Sequence, residues 1–145
     1  MADNKMKLTD NSKKVKANID KVLQKSITEC TLVIVANAKM LAKVGKISGT
    51  GQLRDKINNR VKVDGDQIIG QVGSPLIYAP YVEFGTGEFA ENGMGRKGGW
   101  TYRTPDGDYF FTKGMKPDPF LRPAFRQSKE YVIKKMKKDM SNNFK

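Results

Sequence analysis

The sequence contains no histidine and a single cysteine, Cys30. Without histidine there is no His-based catalytic triad and none of the usual zinc sites, and a lone thiol has no partner for an internal disulfide. Long apolar runs are missing too. No window approaches the roughly eighteen uncharged apolar residues of a membrane span, and no apolar stretch precedes a small-residue cleavage site near Met1. Neither a membrane span nor a signal peptide is expected. Acidic residues are outnumbered, 15 Asp plus Glu against 27 Lys plus Arg, which leaves a net charge of +12. Those carboxylates scatter through helix faces and turns, with no paired constellation for acid–base work. Arginine is scarce where the lysines concentrate, in residues 1–25 and 129–145. Since Arg is the side chain suited to bidentate base readout, sequence-specific DNA recognition is disfavoured.

What remains is 145 residues with 38% hydrophobic content, enough for one domain spanning 1–145 and a sizeable core. The positive field favours an anionic neighbour: nucleic acid, an acidic protein surface or a headgroup layer. A lysine-biased solvated surface is the plain alternative.

In residues 10–44, Val15, Ile19, Val22, Leu23, Ile27, Cys30, Ile34, Ala38 and Leu41 recur at steps of three or four without Gly or Pro. The spacing predicts a long amphipathic helix with Cys30 in the core, Asp10, Asn11 and Ser12 as candidate N-caps and Gly45 as its stop. The β-branched stretch 28–36 alone would also suit a strand, but periodicity on both sides favours helix. Gly49-Thr50-Gly51 resembles part of a phosphate loop, yet Gln52 and Leu53 stand where Lys-Ser/Thr is required. Residues 52–57 fit one or two helical turns. Residues 60–63 and 67–72 flank Asp64-Gly65-Asp66 and predict a first hairpin.

In residues 74–84, Tyr78 and Val82 are spaced for a helical turn with Pro80 in its first turn. Gly85-Thr86-Gly87 ends it, and the glycine-rich residues 88–99 are expected to be a mobile loop. Residues 100–104 and 109–113 flank Pro105-Asp106-Gly107-Asp108 and predict a second hairpin. A second helix is expected over 124–140 with Phe125, Tyr131, Val132, Met136 and Met140 inward and lysines outward. The order implies an α+β fold: an antiparallel sheet of two β-hairpins packed against a long N-terminal helix and a C-terminal helix.

Asp64 and Asp66, or Asp106 and Asp108, imitate metal ligands but read as turn formers, without the rest of a calcium loop. Neither a metal nor a cofactor is expected. Glu83, between Val82 and Phe84, is the one carboxylate in apolar company. A perturbed acid is one reading; pairing with Arg122, within the chain or across a subunit interface, is the stronger. Trp100, Tyr102, Arg103, Tyr109, Phe110, Phe111 and Lys113 would suit a nucleic-acid stacking platform, but alternation makes packing of one aromatic set on the helices the simpler reading.

Tyr78-Ala79-Pro80-Tyr81-Val82-Glu83-Phe84-Gly85-Thr86-Gly87, followed by Pro119-Phe120-Leu121-Arg122-Pro123-Ala124-Phe125 and a lysine-rich helix, resembles the minor tail component, or tail-completion, family of long-tailed bacteriophages and prophages. Thr50-Gly51-Gln52-Leu53-Arg54-Asp55-Lys56-Ile57 resembles an element upstream in that family, with Lys56 in place of its common Ser. The resemblance spans about residues 10–140. It implies a non-enzymatic structural subunit at the head–tail junction of the virion, assembled in host cytoplasm as a ring, expected to be a hexamer, that contacts neck connector and tail-tube proteins and lets DNA pass. Tyr78, Tyr81, Glu83, Phe84, Gly85, Gly87, Trp100, Phe120, Leu121, Arg122 and Pro123 are then candidates for fold-motif or subunit-contact roles. Lys134, Lys135, Lys137 and Lys138 are candidates to face DNA without reading its sequence. Within the motif, Tyr and Phe are expected to anchor a short helix; contact with the next subunit is the alternative. A small basic nucleic-acid-binding protein is the rival from another class. A membrane-active helix over 124–145 is weaker, because its apolar face is needed by the core.

Overall fold

The computed structural model describes residues 9–42 and 51–143. Helix α1 (Ser12–Leu41) leads to a single turn α2 (Gln52–Asp55), a hairpin of β1 (Asn58–Asp64) and β2 (Gln67–Gly73), and a short helix α3 (Ala79–Phe84). A 3-10 turn (Gly87–Phe89) precedes a second hairpin, β3 (Trp100–Arg103) and β4 (Tyr109–Thr112), and α4 (Leu121–Asn143) closes the chain. This is the expected α+β order. Its strands form two separate two-stranded antiparallel sheets. Gly45, the Gly49-Thr50 pair and most of the basic 1–9 segment lie outside the described residues.

The region 28–36 is helical, as its flanking periodicity requires. Cys30 is 2% exposed, and burial pushes its thiol up. At the start of α1, Asn11 occupies the N-cap without a side-chain bond, while Asp10 Oδ1 accepts from the Ser12 N–H at 2.9 Å.

The two long helices run antiparallel, with Asn37 Nδ2 donating to Ser128 Oγ at 2.8 Å and Lys135 pairing with Glu29 at 2.6 Å further along. They meet through small residues: Ala38 and Ala124 are fully buried, and Ser128 returns its own hydroxyl to the Ala124 carbonyl. Of the five residues expected on the inner stripe of α4, Val132, Met136 and Met140 are half-buried, and two are corrected. Phe125 and Tyr131 are 44% and 48% exposed, because the seam needs side chains that let backbones approach, and the face that supplies them is Ala124, Ser128 and Val132.

The first hairpin lies across α1. Its strands pair in full register from Asn58↔Gly73 to Asp64↔Gln67, turning through Gly65-Asp66. Gly70 rests on Thr31 and Ile27, where a Cβ would come within 2.6 Å of the Thr31 methyl, and Asn59 Nδ2 donates to Thr31 Oγ1 at 2.8 Å. Among the described residues, the core gathers Ile34, Val35, Ala38 and Ala42 of α1 and its end with Ile57, Ala79, Val82, Phe120 and Ala124. The second hairpin contributes nothing to it.

Candidate functional site

Helix α3 is six residues long, with Pro80 in its first turn and Gly85 ending it. So short a helix has little stability of its own and is held by what it buries: Ala79, Val82 and Glu83. Glu83 is 3% exposed and points at the start of α4. Its Oε2 accepts the N–H groups of Phe120 and Leu121 at 2.7 and 2.9 Å; its Oε1 accepts the Arg122 N–H at 3.0 Å and Arg122 Nε at 2.9 Å. A helix start leaves its first N–H groups without intrahelical partners and carries partial positive charge. The next residue, Pro123, has no N–H to satisfy, so one carboxylate completes the cap.

Arg122 extends the network. Its guanidinium donates to the Glu83 carbonyl at 2.8 Å, grips Glu91 through Nη1 and Nη2 at 2.7 and 2.9 Å, and lies 4.8 Å from the centre of the Phe84 ring. Burial pushes the Glu83 carboxyl up, but the three backbone donors and Arg122 outweigh it and hold it below the ordinary value. Hydrogen bonding to Arg122 likewise lowers Glu91, and both carboxylates raise Arg122 further above its already high value. With two donors on each oxygen, Glu83 is built to stay ionised and to hold two motifs together. It is not placed to move a proton. The Glu83–Arg122 pair expected from sequence thus forms within one chain.

Gly85-Thr86-Gly87 runs beside residues 113–115. The Thr86 N–H donates to the Met115 carbonyl, the Glu88 N–H to the Lys113 carbonyl, and the Met115 N–H to Thr86 Oγ1, all at 2.8–2.9 Å. Glycine is required at Gly87 by its φ of +61° and by crowding, since a Cβ would stand 2.2 Å from the Lys113 carbonyl oxygen. This seam fixes the root of the second hairpin against α3. Residues 88–99 are tied to it by Glu91 on Arg122 and by Glu88 Oε1, which accepts the Gly98 N–H at 3.1 Å.

The aromatic residues behave otherwise. Tyr78 packs partly on the core, but Tyr81 and Phe84 are 54% and 47% exposed, so neither anchors α3. They line, with Pro80, Ala90 and Met94, a groove of about 530 Å3 whose ten lining residues carry no charge. On the second hairpin, Tyr102 pairs across from Phe110 with rings 6.1 Å apart, while Arg103 lies over Tyr109 on the opposite face. Tyr102, Tyr109, Phe110 and Phe111 are all exposed, which overturns the expectation that one set packs on the helices. The hairpin is rooted at Gly87 and Gly114, and among the described residues no helix lies along it. Trp100 is half-buried, with Arg96 over its ring.

The structure therefore brings Glu83, Gly85, Gly87, Phe120, Leu121, Arg122 and Pro123 into one junction, sets Tyr81 and Phe84 on its outer side, and leaves Trp100 at the hairpin base. Sequence reasoning missed Glu91, Thr86 and Gly114. Glu91 looks like any charged loop residue; only the fold brings it to Arg122.

On α4, Lys134, Lys137 and Lys138 are exposed along the face away from α1. Lys135 is not among them: it turns toward α1 and bridges Asp139 and Glu29, which raise its value. Among the described residues no group of three or more His, Cys, Asp or Glu is arranged to hold a metal, and no helix is long and apolar enough to cross a membrane.

Residues 6–85, 80 of the 145, match the family described as "Bacteriophage HK97-gp10, putative tail-component". The match covers α1, the first hairpin and α3, and ends at the glycine that terminates α3. No curated protein and no solved structure matches the chain.

Proposed function

Because the chain belongs to the HK97-gp10-like family of bacteriophage tail components, we propose that it is a non-enzymatic neck subunit. Copies form a ring at the head–tail junction, between the capsid connector and the tail tube, through which the genome passes. A hexamer is the expected stoichiometry, and assembly takes place in the host cytoplasm before the ring becomes part of the virion. The observation that carries this reading is the division of labour around α3. Charged residues lock the motif internally, while Tyr81, Phe84 and the second hairpin turn apolar surface outward. A subunit of a closed assembly needs a rigid body and uncovered contact surface, and both are present. Lys134, Lys137 and Lys138 supply cationic groups on an exposed helix face, suited to phosphates and not to base edges.

Particles assembled without this chain test the proposal. Filled heads and finished tails should accumulate unjoined and be visible as separate bodies by electron microscopy. Joined, infectious particles would refute it. Residues 88–99 are expected to lose protease sensitivity when copies assemble, and equal cleavage before and after counts against that.

The exposed aromatic hairpin also favours a second reading, a stacking platform for single-stranded nucleic acid. On that reading Tyr109→Ala lowers single-strand affinity in a chain that stays monomeric.

A further inference from the structure

Two apolar surfaces on this chain are left uncovered, and they differ in shape. One is a ribbon: the second hairpin, aromatic on both faces and free of helix cover among the described residues. The other is the uncharged groove beside α3, with Tyr81, Phe84 and Met94 at 54%, 47% and 83% exposure. Resting on the ring reading above, we infer that the ribbon of one copy seats in the groove of the next, a head-to-tail contact repeated around the assembly.

Four properties of the chain favour a second copy as the occupant. A two-stranded hairpin on its own is marginal in water and needs an apolar surface to lie on. The groove can receive aromatic rings without stripping water from any ionised group, because none lines it. Covering the two aromatics of one ribbon face and the three groove side chains removes roughly 600 Å2 of exposed surface, taking about 200 Å2 per large side chain. Five side chains alone thus supply about half of the roughly 1,200 Å2 at which specific interfaces begin. Charge fits as well. Copies with a net charge of +12 repel, yet the ribbon tip carries Asp106 and Asp108 against Arg103 alone, which makes the docking end locally acidic, and Arg96 and Lys97 follow the groove residue Gly95 in the chain. Because ribbon and groove are different patches, the contact is heterologous, the class of contact that closes into a ring when the rotation between neighbours divides the full circle.

Two full-length variants test the docking. A ribbon variant carries Phe110→Ser with Phe111→Ser; a groove variant carries Phe84→Ser with Met94→Ser. All four side chains are exposed, so both variants should stay folded, the ribbon variant melting close to the parent and the groove variant a few degrees below it for the loss of Phe84 under Arg122, and mass photometry then reads assembly. Each variant alone should need a concentration at least about 30-fold higher to assemble, the effect of losing one interface hot spot. Mixed one to one, they should stop at a heterodimer, since only one intact ribbon and one intact groove remain. A disulfide between Phe84→Cys in one chain and either Phe110→Cys or Phe111→Cys in another, but not both, gives a second readout, as those two residues lie on opposite faces.

Parent oligomers that survive in both variants, or a groove variant that still dimerises alone, would overturn the docking and leave the ring reading intact. Hairpin variants that lose only single-stranded DNA binding would overturn it in favour of the stacking platform. A parent chain that stays monomeric at every concentration, free or on purified tails, would overturn both the docking and the ring.

Discussion

Glu83 and Phe111 sit on either side of the same glycine seam and invert what their chemistry suggests: the carboxylate is 3% exposed and the aromatic ring 62%. At the junction of α3 and α4, burial is stable because every polar atom is matched. Three backbone donors and a guanidinium meet one carboxylate, and Glu91 takes the remaining guanidinium face. On the second hairpin, apolar surface stays open because none of the described helices lies over it. A buried charge therefore marks the part of the molecule that is finished within one chain, and exposed rings mark the part that is not.

The sharpest way to break that contrast is Glu83→Ala. It leaves three helix N–H groups and Arg122 without their acceptor, and chemical denaturation should show a loss of about 3–5 kcal/mol. Phe120→Ala, which opens a cavity under the same junction, should cost a similar about 3–5 kcal/mol; a loss below about 1 kcal/mol would place Phe120 outside the core. The pH dependence follows from the lowered Glu83 value. Its stabilisation is complete above the usual carboxylate value of 4.5 and is lost as pH falls through the lower folded value. The gap in stability between the parent and Glu83→Gln should therefore narrow on acidification in that range. A gap that stays constant from about pH 7 to about pH 3 would contradict the cap.

Phe84→Ala separates the two regions more finely. As a half-exposed ring under a guanidinium it should cost about 1 kcal/mol, against the roughly 3 kcal/mol or more of a core Phe. Its larger effect should be on assembly. Smallest of all, Tyr109→Ser and Phe111→Ser should each change stability by about 0.5 kcal/mol or less. A large loss there would mean that the hairpin is held by its own chain. Replacing Lys134, Lys137 and Lys138 by Ala should leave stability unchanged and flatten the salt dependence of DNA binding, by about 0.9 in log–log slope for each phosphate that is no longer neutralised.

Much of the junction is legible in the sequence. Glu83 stands out because a carboxylate between Val82 and Phe84 has to be paired, and Arg122 is its natural partner in the second motif. Glycines at Gly85 and Gly87 announce a sharp exit. Their second purpose, contact with the backbone of residues 113–115, is not legible, because nothing in the local pattern says which distant strand comes near. The aromatic residues mislead for a related reason. Alternation along β3 and β4 tells that Trp100 shares a face with Tyr102 and Tyr109 with Phe111; only the strand register adds that Phe110 joins Tyr102. It carries no information about whether that face meets a helix. On α4, counting large apolar residues picks Phe125 and Tyr131, whereas the close approach of α1 selects the face bearing Ala124 and Ser128.

Local chemistry along the chain thus determined the helices, the hairpin turns, the placement of Pro80 and the need to neutralise Glu83, since each depends on residues within a few positions or on a charge that cannot be left buried alone. Tertiary structure alone decided which surfaces were covered. Burial depends on the shape of what arrives from far away in the sequence, and in this protein two small-residue faces met while the aromatic ribbon met none of the described helices of its own chain.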